Sequence, residues 1–241
     1  MTTVLSLVTD AADELSLARP TDIADTTDDN TSQKLIRHLT RTCRQLSAEY
    51  DWSRLRREKT FTTVAAAEQT DAIPTDFQRF LKDTIWNRST RTKVLGPLDV
   101  GDWQARQAVL VNGPYQNFII RGTSFLMTPT PTAGWTIAYE YITKYIGLAV
   151  DGTTERLTFT ADDDTTYFDD ELVILGTVWR YRKAEGLDYS EEFREYQLRR
   201  ANMIKMDGGR RTLDMCGAHE GQTGSGAAIT TATEIGDIFT I

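Results

Sequence analysis

The amino-acid sequence predicts an α+β protein: an antiparallel helix bundle, an inserted β-rich lobe and an extended C-terminal arm. Three observations carry this expectation. Apolar residues recur at three- and four-residue steps near both ends of the folded part. Between them lies a stretch rich in β-branched and aromatic residues, broken by turn signals. From residue 207 the composition turns small and polar. The expected divisions are 1–53 with 168–206 for the helices, 54–167 for the lobe and 207–241 for the arm.

The first helix is expected over Thr3 to Leu17, with Val4, Leu5, Leu7, Val8, Ala11, Ala12 and Leu15 at helical spacing and Thr3 as N-cap. Pro20 closes it, because the residue before a proline avoids the helical region. Asp10, Asp13 and Glu14 interrupt the apolar run and no basic segment precedes it, which speaks against a signal peptide or a membrane span. A polar linker, Thr21 to Asn30, leads to the second helix, Thr31 to Asp51. Its inner face is Leu35, Ile36, Leu39, Cys43, Leu46 and Tyr50; Lys34, Arg37, Arg41, Arg44 and Glu49 face outward.

A strand is expected over Leu55 to Val64, and Ala72 to Phe77 turns into an extended stretch ending near Trp86. Leu95 to Gly101 reads as a loop, with Asp102 capping a short helix through Gln107. Asn117 to Ile120 and Ser124 to Thr128 form a hairpin around Arg121-Gly122. Trp135 to Tyr145 alternates as a half-buried strand does, and Leu157 to Phe159 is a last short strand. Asp162 to Asp164 is a loop. Helices return over Phe168 to Lys183 and Ser190 to Met206, the second capped by Asp188 or Ser190 and lined by Phe193, Tyr196, Leu198, Met203 and Ile204.

The arm joins a Gly-rich spacer to a β-prone end carrying Ile229, Ile235, Ile238, Phe239 and Ile241. Such a segment orders on a partner by strand addition, or frays as termini commonly do.

The chain has 241 residues, 40% of them hydrophobic and 26% charged, enough for a substantial core. Its net charge of −8 argues against a dedicated DNA binder, though not against a wall past which DNA slides. Two cysteines, Cys43 and Cys216, do not make a disulfide framework. There is no phosphate loop and no nucleophile elbow. His38 and His219 lack partners at metal-ligand spacing. The expectation is therefore no enzyme, no cofactor and no metal. Trp52, Trp86, Trp103, Trp135 and Trp179 read as core or interface anchors.

Two clusters are weighed against that expectation. Asp162, Asp163 and Asp164, followed by Asp169, Asp170 and Glu171, could serve a metal-dependent hydrolase, but the spacing departs from a calcium loop. A solvated loop before an acidic helix start explains it more simply. Arg54, Arg56, Arg57 and Lys59, beside Trp52 and Phe61, could bind nucleic acid. In an acidic chain a strand with cations on its solvent or inter-subunit face is the simpler reading.

The run Leu46-Ser-Ala-Glu-Tyr-Asp-Trp-Ser-Arg-Leu-Arg-Arg-Glu-Lys-Thr-Phe-Thr-Thr resembles the helix end and first strand of tailed-phage head-to-tail adaptors. Ala72-Ile-Pro-Thr-Asp-Phe-Gln-Arg-Phe80 is similar to that family's turn, and Phe168 to Tyr196 to its returning helices. The resemblance covers residues 30 to 206. It implies a structural adaptor in the virion neck, assembled in the host cytoplasm and free of membrane. It further implies a homo-oligomeric ring, usually twelve-fold, beneath the portal, with the β lobe facing tail or nozzle proteins. Double-stranded DNA passes through such a ring without sequence-specific binding. The arm climbs onto the portal, and Arg54, Arg56, Arg57 and Lys59 are candidate inter-subunit contacts.

Overall fold

Thr3 caps the first helix. In the computed structural model its hydroxyl accepts from the Ser6 N–H (3.3 Å) and opens α1 (Val4–Glu14). The structure describes residues 2–23, 30–109, 113 and 115–208. Most of the linker and all of the arm beyond Gly208, with Ile229, Ile235, Ile238, Phe239 and Ile241, lie outside the described residues. Residues 1–209 form one compact unit.

The amphipathic second helix is α2 (Asn30–Glu49), with Leu35, Leu39, Cys43 and Leu46 fully buried. The returning pair is α4 (Asp170–Ala184) and α5 (Ser190–Asp207). Leu172, Val173, Leu175, Val178, Trp179 and Tyr181 of α4 are all buried, because α1, α2 and α5 pack around it. A helix apolar on most sides belongs at the centre of a core. Asp188 accepts from the Ser190 N–H (3.0 Å) at the start of α5. Leu198, expected on the packed face, is exposed, whereas Tyr196 is buried. The helix also runs one residue past Met206, so Asp207, placed in the arm by the sequence, ends α5.

A short 3₁₀ turn (Ser53–Leu55) leads into β1 (Arg56–Thr62). Then come β2 (Glu68–Gln69), β3 (Phe77–Phe80), β4 (Trp86–Asn87), β5 (Thr92–Lys93) and α3 (Val100–Ala108). Asp99, not Asp102, caps α3: its carboxylate accepts from the Gly101 N–H (2.9 Å), and Asp102 lies in the first turn. The hairpin is β6 (Asn117–Arg121) and β7 (Ser124–Thr128). The long strand is β8 (Thr136–Thr143), followed by β9 (Gly147–Leu148), β10 (Glu155–Arg156) and β11 (Thr165–Thr166).

One sheet has the order β1-β8-β4-β5, with β3 also pairing β8. A second is β2-β7-β6 and a third β10-β9-β11. Strand β8 is more buried than a half-buried strand, with only Thr136 and Glu140, both on one face, outside the core. Its neighbours β1, β3 and β4 make it a central strand; Ile137, Tyr139, Tyr141 and Thr143 bury one whole face as the alternation predicts, and Ala138 and Ile142 are buried on the other as well, where Thr136 and Glu140 are not. The expected strand at Leu157 to Phe159 is displaced to β10, and Phe159 plugs the helical core instead.

Among the described residues there are two apolar cores. One gathers α1, α2, α4 and α5 with Trp52, Leu55, Ile142, Ile146, Phe159 and Tyr167. The other lies within the sheets, around Phe61, Phe118, Phe125, Met127, Ile137 and Tyr139. Phe118 and Phe125 stack there at 4.9 Å between centroids. The lobe is thus tied to the helices by its own side chains.

Candidate partner-binding surfaces

Strand β1 sits at the edge of its sheet. Its register with β8 pairs Arg57 with Tyr141, Lys59 with Tyr139 and Phe61 with Ile137. The Thr63 N–H donates to the Trp135 carbonyl (2.8 Å) in the same register. On the far side of β8, the Arg88 N–H donates to the Thr136 carbonyl (2.8 Å), and the Leu81 N–H to Glu140 (3.1 Å). In an antiparallel ladder backbone groups alternate in direction. Odd-numbered residues of β1 therefore bond β8, and Glu58, Thr60 and Thr62 direct their backbone N–H and C=O outward. Among the described residues nothing bonds those outward groups. All three side chains are exposed.

The basic run sits on this strand and on the turn before it. Arg54 donates to the Tyr167 carbonyl (3.3 Å), and Arg56 to the Asp51 carbonyl (3.0 Å). Arg57 pairs with Glu155 (3.1 Å) and lies over the Tyr167 ring. Lys59 pairs with Asp71 (3.0 Å). The Tyr167 hydroxyl donates to the same Glu155 (2.9 Å). Burial, helped by that carboxylate, pushes the Tyr167 phenol up to about 12. Arg57 and Lys59 are thus matched by carboxylates of their own chain, and Arg54 and Arg56 donate to backbone carbonyls.

Sequence reasoning missed Arg79 of β3. Its guanidinium donates to Asp51 Oδ1 (2.9 Å) and to the carbonyls of Ser47 and Tyr50 (2.8 Å each). Those carbonyls belong to the last turn of α2, which lacks intrahelical partners and carries the negative end of the dipole. Nothing local in the sequence marks this contact; it spans the helix-to-lobe junction.

The three aspartates at 162–164 form a bracket for α1 rather than a solvated loop. The Val4 and Leu5 N–H groups, orphaned at the helix start, donate to the carbonyls of Asp164 (2.8 Å) and Asp162 (3.2 Å). The Asp162 carboxylate accepts from the Ile23 N–H (2.7 Å). Asp164 is wholly buried: its Oδ2 accepts from the Thr160 (2.8 Å) and Ala161 (3.1 Å) N–H groups. Arg156 Nε lies 3.4 Å from the other oxygen. That contact is a close charge pair without the alignment of a hydrogen bond. Only Asp163 is exposed. Nearby, the Thr2 hydroxyl donates to Asp170.

Between α2 and α4 lies a buried cation, Arg180. It donates to the Thr42 hydroxyl (3.0 Å), the Gly176 carbonyl (2.8 Å) and the Gln45 side-chain oxygen. Its guanidinium stacks over Trp179 at 4.4 Å. Burial holds the Arg180 pKa below its ordinary value. Burial likewise pushes the Cys43 thiol up to about 12, and burial with the Arg180 charge pulls His38 down. Cys43 is a packed thiol facing Thr166, 3.7 Å away. Of the tryptophans, Trp52, Trp103 and Trp179 are buried, and Trp86 is 47% exposed on β4.

At its other end α5 is pinned to the start of the lobe. The Ser53 N–H and hydroxyl both donate to Asp207 (2.9 and 2.5 Å). Beside this clasp is a cavity of about 270 Å³ lined by Trp52, Arg54, Phe168, Leu172, Met203 and Met206. Met206 is exposed. Gly208, the last described residue, therefore lies within a few residues of where β1 begins.

These features define an α+β protein whose conspicuous carboxylates and cations hold its own elements together. The chain matches SU10 adaptor protein over residues 2–225, and it belongs to that family. The resemblance to phage head-to-tail adaptors is borne out at the level of the family, and the chain has a phage adaptor role. Comparison with curated proteins finds none that matches. No helix among the described residues is long and apolar enough to cross a membrane.

Proposed function

We propose that this protein is the neck adaptor of a tailed phage, a non-enzymatic ring of twelve copies that joins portal to tail and continues the DNA channel. The observation that carries this reading is the family match, which spans nearly all of the compact unit. The helical part, 1–53 with 168–206, forms the ring wall, and the lobe, 54–167, faces tail or nozzle proteins. DNA slides past an acidic chain that gives phosphates little to hold. Arg54 and Arg56, bonded to neutral carbonyls, keep charge for a neighbour's carboxylates, while Arg57 and Lys59, on the other face of β1 from Arg56 and paired with Glu155 and Asp71, could meet a neighbour only at the rim of those pairs.

Residues 208–241, with Ile229, Ile235, Ile238, Phe239 and Ile241, form the attachment arm. A structural protein needs no hydrolytic centre, and Asp162 and Asp164 already have work as the α1 bracket. The test is to mix portal rings with the full chain and with a chain ending at Asp207, counting bound copies by native mass spectrometry. Twelve copies of the full chain and few or none of the shortened one are expected. Full decoration by the shortened chain removes the arm from the mechanism, and failure of the full chain to bind removes the adaptor reading.

A further inference from the structure

We infer that Arg37 and Arg41 of one copy meet Asp10 and Glu14 of the next, joining the outer face of α2 to the flank of α1. This rests on the reading of the helical part as a ring wall, and it names the two faces that close the wall.

Three observations carry it. First, each face holds like charges one helical turn apart. Arg37 and Arg41 stand four residues apart on α2, and Asp10 and Glu14 four residues apart on α1. Like charges at that spacing are neighbours on the helix surface and weaken the helix. Arg37 and Arg41 lie on the side of α2 opposite the buried Leu39 and Leu46, and all four charged residues are exposed. Second, none of the four has an ion pair among the described residues. Their neighbours on the same helices are matched: Asp13 pairs with Arg19, Lys34 with Glu185 and Glu49 with Arg200.

Third, the α1 flank carries negative charge that the chain does not relieve. Helices α1 and α5 both pack on α4. Partial burial of its carboxyl, then the charges of Glu171 on α4 and Glu195 on α5, raise the Glu14 pKa above its ordinary value. Neither of those two glutamates has an ion pair among the described residues. The cation at hand, Arg182, is taken by Glu192 (2.8 Å). The α2 face has the opposite sign: burial, then the charges of Arg180 and Arg41, pull His38 down.

The two faces therefore match in spacing and oppose in sign. With α2 of one copy along the α1 flank of the next, each repelling pair faces its complement. The faces belong to different helices, so a copy that uses one still offers the other. Such heterologous contacts are the kind that generate rings.

The experiment uses the full chain and three variants: Arg37→Glu with Arg41→Glu, Asp10→Lys with Glu14→Lys, and all four together. Each change is exposed, so melting midpoints near the parent's are expected. Association is read by sedimentation of the concentrated chain and by native mass spectrometry on portal rings. Either double reversal should weaken association at least about tenfold, because like charges then face each other across the contact. The fourfold reversal, and an equal mixture of the two double reversals, should regain it.

Association undiminished by both double reversals overturns the proposal and leaves the adaptor reading in place. So does a loss that neither the fourfold reversal nor the mixture regains, which would give these faces to another partner. Copies that associate through these faces yet leave portal bare keep this proposal and remove the adaptor reading. A parent chain that neither associates nor binds portal removes both.

Discussion

Arg199 of α5 grips Asp169, the residue that caps α4. Its Nε and Nη2 donate to Asp169 Oδ1 at 3.0 and 2.9 Å, and Nη2 also reaches Oδ2 at 3.0 Å. The same Oδ1 accepts from the Leu172 N–H (3.1 Å), so one carboxylate caps one helix and holds another. Asp169→Ala should lose about 1–2 kcal/mol, mostly the cap. Asp169→Asn keeps an acceptor for Leu172 and loses a pair that is partly exposed, so it should cost less than ~1 kcal/mol. Denaturant midpoints of the two variants check this; equal losses would show that charge, and not capping, dominates.

Leu39 lies at the middle of the buried stripe of α2, the helix that packs on α4. Leu39→Ala should cost about 2–5 kcal/mol, because the surrounding core relaxes only partly around the cavity. An unchanged denaturation midpoint would contradict the packing of α2 in this core.

Gly176 faces Thr42 so closely that an added methyl would run into its side chain. Alanine within a helix normally gains about 1 kcal/mol over glycine. Here Thr42 would have to move, and its hydroxyl accepts from the buried Arg180. Gly176→Ala should therefore destabilise by roughly 1–3 kcal/mol. A variant more stable than the parent would show that α2 and α4 have slack at this contact.

The bracket at 162–164 separates its three aspartates. Asp163→Asn should stay within about 0.5 kcal/mol of the parent. Asp164→Ala strands the Thr160 and Ala161 N–H groups in the interior and should cost about 1–3 kcal/mol. Thermal unfolding of both variants is the measurement, and matched midpoints would return the cluster to the role of a solvated loop.

Alkali should unfold the protein through its buried acids. Cys43 and Tyr167 have ordinary pKa values of 9.0 and 10.0, and burial, the largest cause for each, pushes both up to about 12. The folded chain keeps these protons where the unfolded chain releases them. Their contribution is whole below pH 9 and is lost as pH climbs toward about 12, at up to ~1.4 kcal/mol per pH unit for each group. Stability measured from pH 8 to 11 should fall along this window, and Cys43→Ala should fall less steeply. A flat profile would mean that neither group is shielded.

The sequence by itself determined what local pattern controls. The period of α2 placed Leu35, Leu39, Cys43 and Leu46 inside, Thr3 capped α1, and the Arg121-Gly122 turn set the β6–β7 hairpin. Each is decided by neighbours a few residues away. The tertiary structure decided the rest, because burial and pairing depend on residues far along the chain. Alternation marked one face of β8 as buried, and it is; that Ala138 and Ile142 on the other face are buried too was decided by strands on both sides and by the helical core that takes in Ile142. The aspartates at 162–164 looked solvated until α1 came to rest on their carbonyls. Arg79 carried no signal at all, for its partners are the last carbonyls of a helix about thirty residues earlier. The basic run was legible as a cluster; that Arg57 and Lys59 are answered by Glu155 and Asp71 was not, since charge pairing across a fold leaves no spacing in sequence.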